Sequence, residues 1–207
     1  MRHPSTGSPL PAPLRLYGRR VTLRPLSPPD FAEWSDVRRR NDVWLTPWEP
    51  RRPPSQLDPS VNRDAFNARC SARDRDAVAG LAYGFGVFVD HRLSGEVNLN
   101  SIQRGAMQGA TIGYWIDQAR AGQGLIAESV VVLAAFAFEQ LDLHRLEICI
   151  VPRNHNSRRI MEKLAIREEG IAQRFLEING VWEDHVRYGF TYEEWTQRRA
   201  DLTATWL

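Results

Sequence analysis

Cysteine is scarce. Cys70 and Cys149 are the two in 207 residues, too few for a disulfide framework or a cysteine-based metal cluster, and they suit a reducing cytosol. Lysine is scarcer still: Lys163 is the sole one among 27 basic residues, so almost all positive charge sits on arginine forks that match phosphate and carboxylate. Long apolar runs are also missing. The longest, Val130 to Phe138, falls far short of the roughly 20 residues a spanning helix needs, and the first residues lack a basic-then-apolar signal pattern. An excess of one charge is absent too, because 25 acidic residues nearly balance the basic ones and leave a net +2. The charges are interspersed, which disfavours a nucleic-acid-coating protein. The expectation is a soluble, cytoplasmic protein with no membrane partner and no direct nucleic-acid role.

What is present is material for one core. Hydrophobic residues make up 43%, with 7 Trp, 8 Phe and 5 Tyr, and at about 150 residues per domain the length allows one domain with a small appendage. Residues 1–13 carry four prolines among Ser and Gly and are expected to form a disordered, Pro-rich tail. The domain is then 14–207. Val21 to Pro25 alternates like an edge strand, and Ser27 caps a helix expected over Pro29 to Arg40. Four prolines break the stretch from Trp44 to Pro54. Pro59 to Ala77 can form a polar helix with Val61, Phe66 and Cys70 on one side. Leu81 to Val89 and Leu93 to Ile102 read as a hairpin turning at Asp90-His91-Arg92, followed by a third strand, Gly109 to Ile116. A glycine-rich turn opens an apolar helix, Leu125 to Leu141, which should be buried. Arg145 to Val151 reads as a strand and Asn154 to Leu164 as a helix. Asn179-Gly180 is a type I′ turn between two further strands, and Tyr192 to Leu207 is helical. An antiparallel meander followed by helical crossovers implies a mixed α/β sheet.

Two stretches carry chemical information. Ala121-Gly122-Gln123-Gly124-Leu125-Ile126 turns a strand into a helix, and unpaired N–H groups with the helix dipole make an anion site available there. The same residues with Ala127 fit a dinucleotide G-x-G-x-x-A, but three meander strands precede the turn and Glu147 lies inside the next strand, so the context is wrong for that motif. In the second stretch, Asn154 can cap a helix whose first turn holds Ser157. The two strand ends could face one crevice. His144, His155 and His185 lack ligand spacing, and no metal is expected.

Taken with the order of elements, these stretches resemble the GCN5-related N-acetyltransferases (GNAT), and within them the RimJ/RimL ribosomal-protein-alanine N-acetyltransferase group, with most echoes of RimJ. The family's Q/R-x-x-G-x-G/A pyrophosphate motif falls on Ala121 to Ile126, with Ala121 and Ile126 departing from the preferred residues. Its N-x-x-S is Asn154-His155-Asn156-Ser157. Gly113-Tyr114-Trp115-Ile116 is similar to the strand along which pantetheine lies. RimJ is echoed in Arg40-Asn41, Thr46-Pro47-Trp48 and Asn179 to Val186. The resemblance implies a single domain with a mixed, mostly antiparallel sheet flanked by helices, and acetyl-CoA as cosubstrate. It places cofactor contacts at Tyr114, Trp115, Ile116, Ala121, Gly122, Gln123, Gly124, Leu125, Ile126, Asn154 and Ser157. It makes Ser157 the proton donor to the leaving thiolate and Asn154 a positioning residue.

The acceptor follows from the resemblance and from acid-base chemistry together. Amide formation from a thioester needs a neutral amine; an α-amine of pKa about 8 is roughly a tenth neutral at pH 7, whereas a lysine at about 10.4 is well under a thousandth neutral. A protein N-terminus, that of a ribosomal protein on the RimJ pattern, is therefore expected, attacking directly in a ternary complex. A small amine such as an aminoglycoside, polyamine or amino acid is the alternative, and a catalytically silent ribosome- or RNA-binding module is a third reading. Glu96, Glu177 and Asp184 are candidate bases by side-chain type. Arg158, Arg159 and Lys163 could meet CoA phosphates, and either a monomer or a homodimer is compatible with the chain.

Overall fold

The computed structural model describes residues 14–207, and the expected tail over 1–13 lies outside the described residues. Eight strands form one sheet in the order β1-β2-β3-β4-β5-β6-β8-β7. β1 (Leu16–Tyr17) and β2 (Val21–Arg24) precede β3 (Tyr83–Val89), β4 (Arg92–Gln103) and β5 (Gly109–Ile116), and all five run as an antiparallel meander. β6 (Arg145–Ile150) is parallel to β5 and antiparallel to β8 (Val181–Thr191), which pairs in turn with the edge strand β7 (Arg167–Ile178). The mixed, mostly antiparallel sheet expected from the sequence is the one observed.

Helices cover both faces. On one lie α1 (Phe31–Arg40), the short α2 (Asp42–Leu45) and α3 (Arg63–Val78), enclosing a small core of Leu26, Trp34, Val37, Phe66, Cys70, Phe88 and Leu93. On the other, α4 (Leu125–Ala135), α5 (His155–Lys163) and α6 (Tyr192–Trp206) cover the main core. Every residue of α4 from Leu125 to Ala134 is buried. The apolar run continues helically toward Leu141 as expected, but over Phe136–Gln140 with π rather than α hydrogen bonding. There Phe136 packs edge-on against Tyr83 and Phe85, while Phe138 meets Phe190 and Trp195.

Two local expectations need correction. The helix expected from Pro59 begins at Arg63, because the Asn62 side chain accepts the Ala65 N–H and so caps the helix three residues later. Val61 therefore lies outside it and is exposed, whereas Phe66 and Cys70 are buried as expected. The proline-broken stretch is also less irregular than its composition suggests. α2 is followed by a 3₁₀ turn, Thr46–Trp48, and Leu45 buries beneath them.

The layer under α1 and α3 holds a fully buried carboxylate, Glu96. Its oxygens accept from Trp34 Nε1 at 2.6 Å, Arg69 Nη2 at 2.6 Å and Arg73 Nη1 at 2.8 Å. Gly84 on β3 makes room for this, since a Cβ there would stand 2.4 Å from Arg73 Nη1. A bulge turns Glu96 to this face: Val87 faces Gly95 but Phe88 faces Leu93, so one residue of β4 drops out of the alternation. Burial pushes Glu96 upward, yet the two guanidiniums and the indole N–H outweigh it and bring the carboxyl from its ordinary 4.5 down to about 2.

A carboxyl held lower in the folded state contributes stability that is complete above pH 4.5 and lost as the pH falls toward about 2. Glu96→Gln leaves two arginines without their counter-charge, so at pH 7 it is expected to cost about 3–5 kcal/mol. The stability of the variant should also fall less between pH 4.5 and 2 than that of the parent. Urea denaturation across a pH series checks both, and a parent-like stability and pH profile would show that the ion cluster contributes little.

Candidate active site

β5 and β6 pair at only three positions, Gly109 with Arg145, Ala110 with Leu146 and Thr111 with Glu147. Beyond them β5 runs on to Ile116 and β6 to Ile150, so the strands part and β5 from Ile112 onward has no β6 partner. Buried backbone groups require partners, and a parted pair of strands offers one edge to an extended ligand. Alternation along β5 sends neighbouring side chains to opposite faces. Tyr114 packs toward the main core and Trp115 toward the core under α1.

Across the parting, Tyr114 Oη and Ser157 Oγ lie 2.7 Å apart, which unites two of the stretches singled out in the sequence. Ser157 is held from behind, because Asn154 Oδ1 accepts its N–H at 3.1 Å and caps α5 as expected. Burial drives the Tyr114 phenol well above the ordinary tyrosine range, against the opposing effect of its hydrogen bond with Ser157. Both hydroxyls are thus protonated at neutral pH, and one proton can lie between them while the other faces outward.

The glycine turn stands at the start of α4. Gly122 (φ +77°) and Gly124 (φ +80°) are in the left-handed region, and Gly124 caps α4 without a side-chain hydrogen bond. A Cβ on Gly122 would meet none of the described residues within 4 Å. One on Gly124 would stand 3.5 Å from the Trp206 ring, 3.6 Å from Arg20 Nη2 and 3.6 Å from Lys163 Nζ. The helix N-terminus therefore combines free N–H groups with two cations, a set that fits a pyrophosphate. Leu125 and Ile126 can face such a ligand only through their backbone, as both side chains are buried. The Ala121 N–H is already given to Gln118 O at 3.1 Å, and Gln123 O accepts from Arg20 at 3.0 Å. Arg20 is further tied to the buried Glu128, whose Oε1 also accepts the Arg20 and Val21 N–H groups. Of the three cations proposed on α5, Lys163 reaches the turn, whereas Arg158 is engaged by the Tyr188 hydroxyl at 3.2 Å. Arg20 was not legible as a site residue, since nothing in its local sequence announces contact with a turn a hundred positions away.

On the opposite face of β5, Trp34 and Trp115 border a cavity of about 730 Å³ with Glu96 on its floor. The proline-broken segment and the β7–β8 hairpin meet at its rim, where the Asn179 N–H donates to Glu49 O at 2.8 Å. Arg153 strengthens this junction by pairing with Glu183 and lying over the Trp48 ring. At the inner end of this wall, Trp44 Nε1 donates to Ile116 O at 3.2 Å. The carboxylates expected as possible bases do not converge on the parting. Glu96 is consumed by Arg69 and Arg73, and Asp184 accepts the Arg174 N–H within its own hairpin. His185 is buried, with Nδ1 at the Glu183 carbonyl and its ring against Phe175.

A parted parallel strand pair with a cationic helix N-terminus on one face and a cavity of about 730 Å³ on the other fits an acyltransferase that draws on acyl-CoA. Residues 20–167 match the acetyltransferase (GNAT) domain, and the chain belongs to that family. The "Probable N-acetyltransferase YjcK" of Bacillus subtilis (strain 168) is 36% identical over 82% of this chain and 93% of its own length. The [Ribosomal protein uS5]-alanine N-acetyltransferase of Escherichia coli (strain K12) is 29% identical over 90% of this chain and 95% of its own. The structure of Mycobacterium smegmatis RimJ in complex with CoA-disulfide superposes with a TM-score of 0.85 at 30% identity, covering 94% of this chain and 95% of that one. The protein is an acetyltransferase with acetyl-CoA as cosubstrate. Among the described residues no helix is long and apolar enough to cross a membrane.

Because a side chain at Gly122 meets none of the described residues, Gly122→Val tests the turn without crowding them. The left-handed backbone should cost about 1–2 kcal/mol of stability. The branched side chain, standing over the helix N-terminus, should weaken CoA binding about tenfold or more, roughly 1.4 kcal/mol. Calorimetric titration with CoA alongside a thermal melt separates the two effects, and an unchanged Kd in the folded variant would remove the phosphate assignment from this turn.

Proposed function

We propose that this acetyltransferase modifies the N-terminal α-amine of a protein, a ribosomal protein on the pattern of its RimJ and uS5-alanine N-acetyltransferase relatives. The observation that carries the reading is the state of Glu96. The one carboxylate on the cavity floor is held at about 2 by two guanidiniums, so it is a very weak base at neutral pH. Glu49 and Asp58 on the cavity wall are likewise paired, with Arg38 and Arg52. Such a site suits an amine that is already roughly a tenth neutral at pH 7, and not a lysine, whose pKa lies about 3 units above pH 7.

Acetyl-CoA supplies an activated acetyl thioester whose C–S bond breaks as the C–N bond forms. The residues of the chain contribute binding and one proton. The α4 N-terminus, Lys163 and Arg20 would hold the pyrophosphate, and the free edge of β5 at Tyr114 to Ile116 would align the pantetheine and polarise the acetyl carbonyl. Ser157, its backbone N–H held by Asn154 and its Oγ accepting from Tyr114 Oη, would donate its hydroxyl proton to the departing sulfur. Tyr114 then returns a proton to Ser157 and is itself reprotonated from solvent, which also takes up the proton lost by the amine. No covalent bond to the protein is made.

Mass spectrometry of an Ala-initial peptide that also contains an internal lysine tests the acceptor. Acetyl is expected on the α-amine, and acetyl on the lysine alone would overturn the reading.

Ser157→Ala is expected to lower kcat about 10²-fold or more while the KM for acetyl-CoA holds, since the hydroxyl acts as charge develops on sulfur. Steady-state kinetics check this, and parent-like turnover would leave Ser157 as a first-turn helix residue.

A further inference from the structure

The charge of the acceptor cavity is more specific than its volume. Six arginines and four carboxylates line it. Three of the carboxylates are spent within the wall: Glu49 on Arg38, Asp58 on Arg52, and Glu96 on both Arg69 and Arg73. The fourth, Asp42, accepts the Thr46 hydroxyl at 3.2 Å. Two arginines are left over. Arg39, in the last turn of α1, and Arg51, on the proline-broken segment, have no carboxylate partner among the described residues, and both are exposed at the cavity rim. Arg51 lies beside the tip of the β7–β8 hairpin, its Nη1 3.7 Å from where a Cβ on Gly180 would stand.

Resting on the peptide N-terminus reading above, we propose that the acceptor carries acidic side chains within its first few residues, and that Arg39 and Arg51 recognise them. A cavity with a surplus of two positive charges repels an ammonium group and favours the neutral amine, which is the reactive form. It therefore needs a compensating attraction to draw the peptide in, and carboxylates a few residues along the chain supply it. An extended peptide advances about 3.3 Å per residue, so side chains three or four positions from the amine are some 10 Å from the reacting centre. They fall toward the rim while the first residue occupies the floor.

The test uses three peptides with the same Ala start and differing only at positions three and four, which carry Glu-Glu, Gln-Gln or Lys-Lys. The expected order of kcat/KM is acidic, then neutral, then basic. At low salt the acidic peptide should exceed the neutral one about fivefold, chiefly through KM, and the gap should narrow at high salt. In the R39Q/R51Q double variant, and in part in each single variant, the ratio of acidic to neutral should fall toward one. Equal kcat/KM for the three peptides, a preference for the basic one, or a ratio that persists in the double variant would overturn the proposal and leave N-terminal acetylation standing. If none of the three is acetylated while a small amine such as spermidine is, the peptide reading itself fails and this proposal falls with it.

Discussion

Two parallel strands that pair at three positions and then separate set the terms for the rest of the molecule. A sheet ordinarily satisfies each buried backbone group with a neighbouring strand, and at β5 that rule is suspended beyond Thr111. The gap is defined from both ends. At the α5 end it is bridged by one hydrogen bond, Tyr114 to Ser157, and at the end of β5 Asp117 is locked to α1 through Asn41 and Arg40. The glycine turn that follows delivers the N-terminus of a wholly buried helix beside the same opening. Dipole, free N–H groups and open backbone edge therefore converge without any dedicated binding loop.

The second constraint is electrostatic. The cavity side of β5 is built from arginine–carboxylate pairs, and a buried pair contributes rigidity more reliably than stability, because desolvation offsets much of the attraction. For an enzyme that makes an amide from an amine, the arrangement has a chemical consequence. Carboxylates tied to guanidiniums do not take up protons near neutrality, so the burden of being neutral passes to the substrate. On the proposed reading, acceptor choice and the want of a base are then one property of the site.

Much of this was legible in the chain. The meander, the crossover helices and the Asn179-Gly180 hairpin follow from alternation, apolar run length and turn chemistry, all of which act between near neighbours. The glycine turn and the Asn154–Ser157 cap were legible for the same reason, since positive φ and helix capping are settled within a few residues. The burial of Glu96 among arginines was not, because one bulged residue in β4 reverses which face every later side chain takes, and no local pattern marks the bulge. Nor was the start of α3, where Asn62 outcompetes the earlier proline as a helix start.

What only the tertiary structure decided is everything that depends on separation in sequence. Arg20 reaches across about a hundred residues to Glu128 and the Gln123 carbonyl, Tyr114 finds Ser157, and the hairpin tip at Asn179 finds Glu49. Periodicity and turn residues select elements because they act over a few bonds. Ion pairs, a parted strand edge and the leftover charge of a cavity arise only when distant elements are packed together, since each is a balance among partners that the order of residues does not bring side by side.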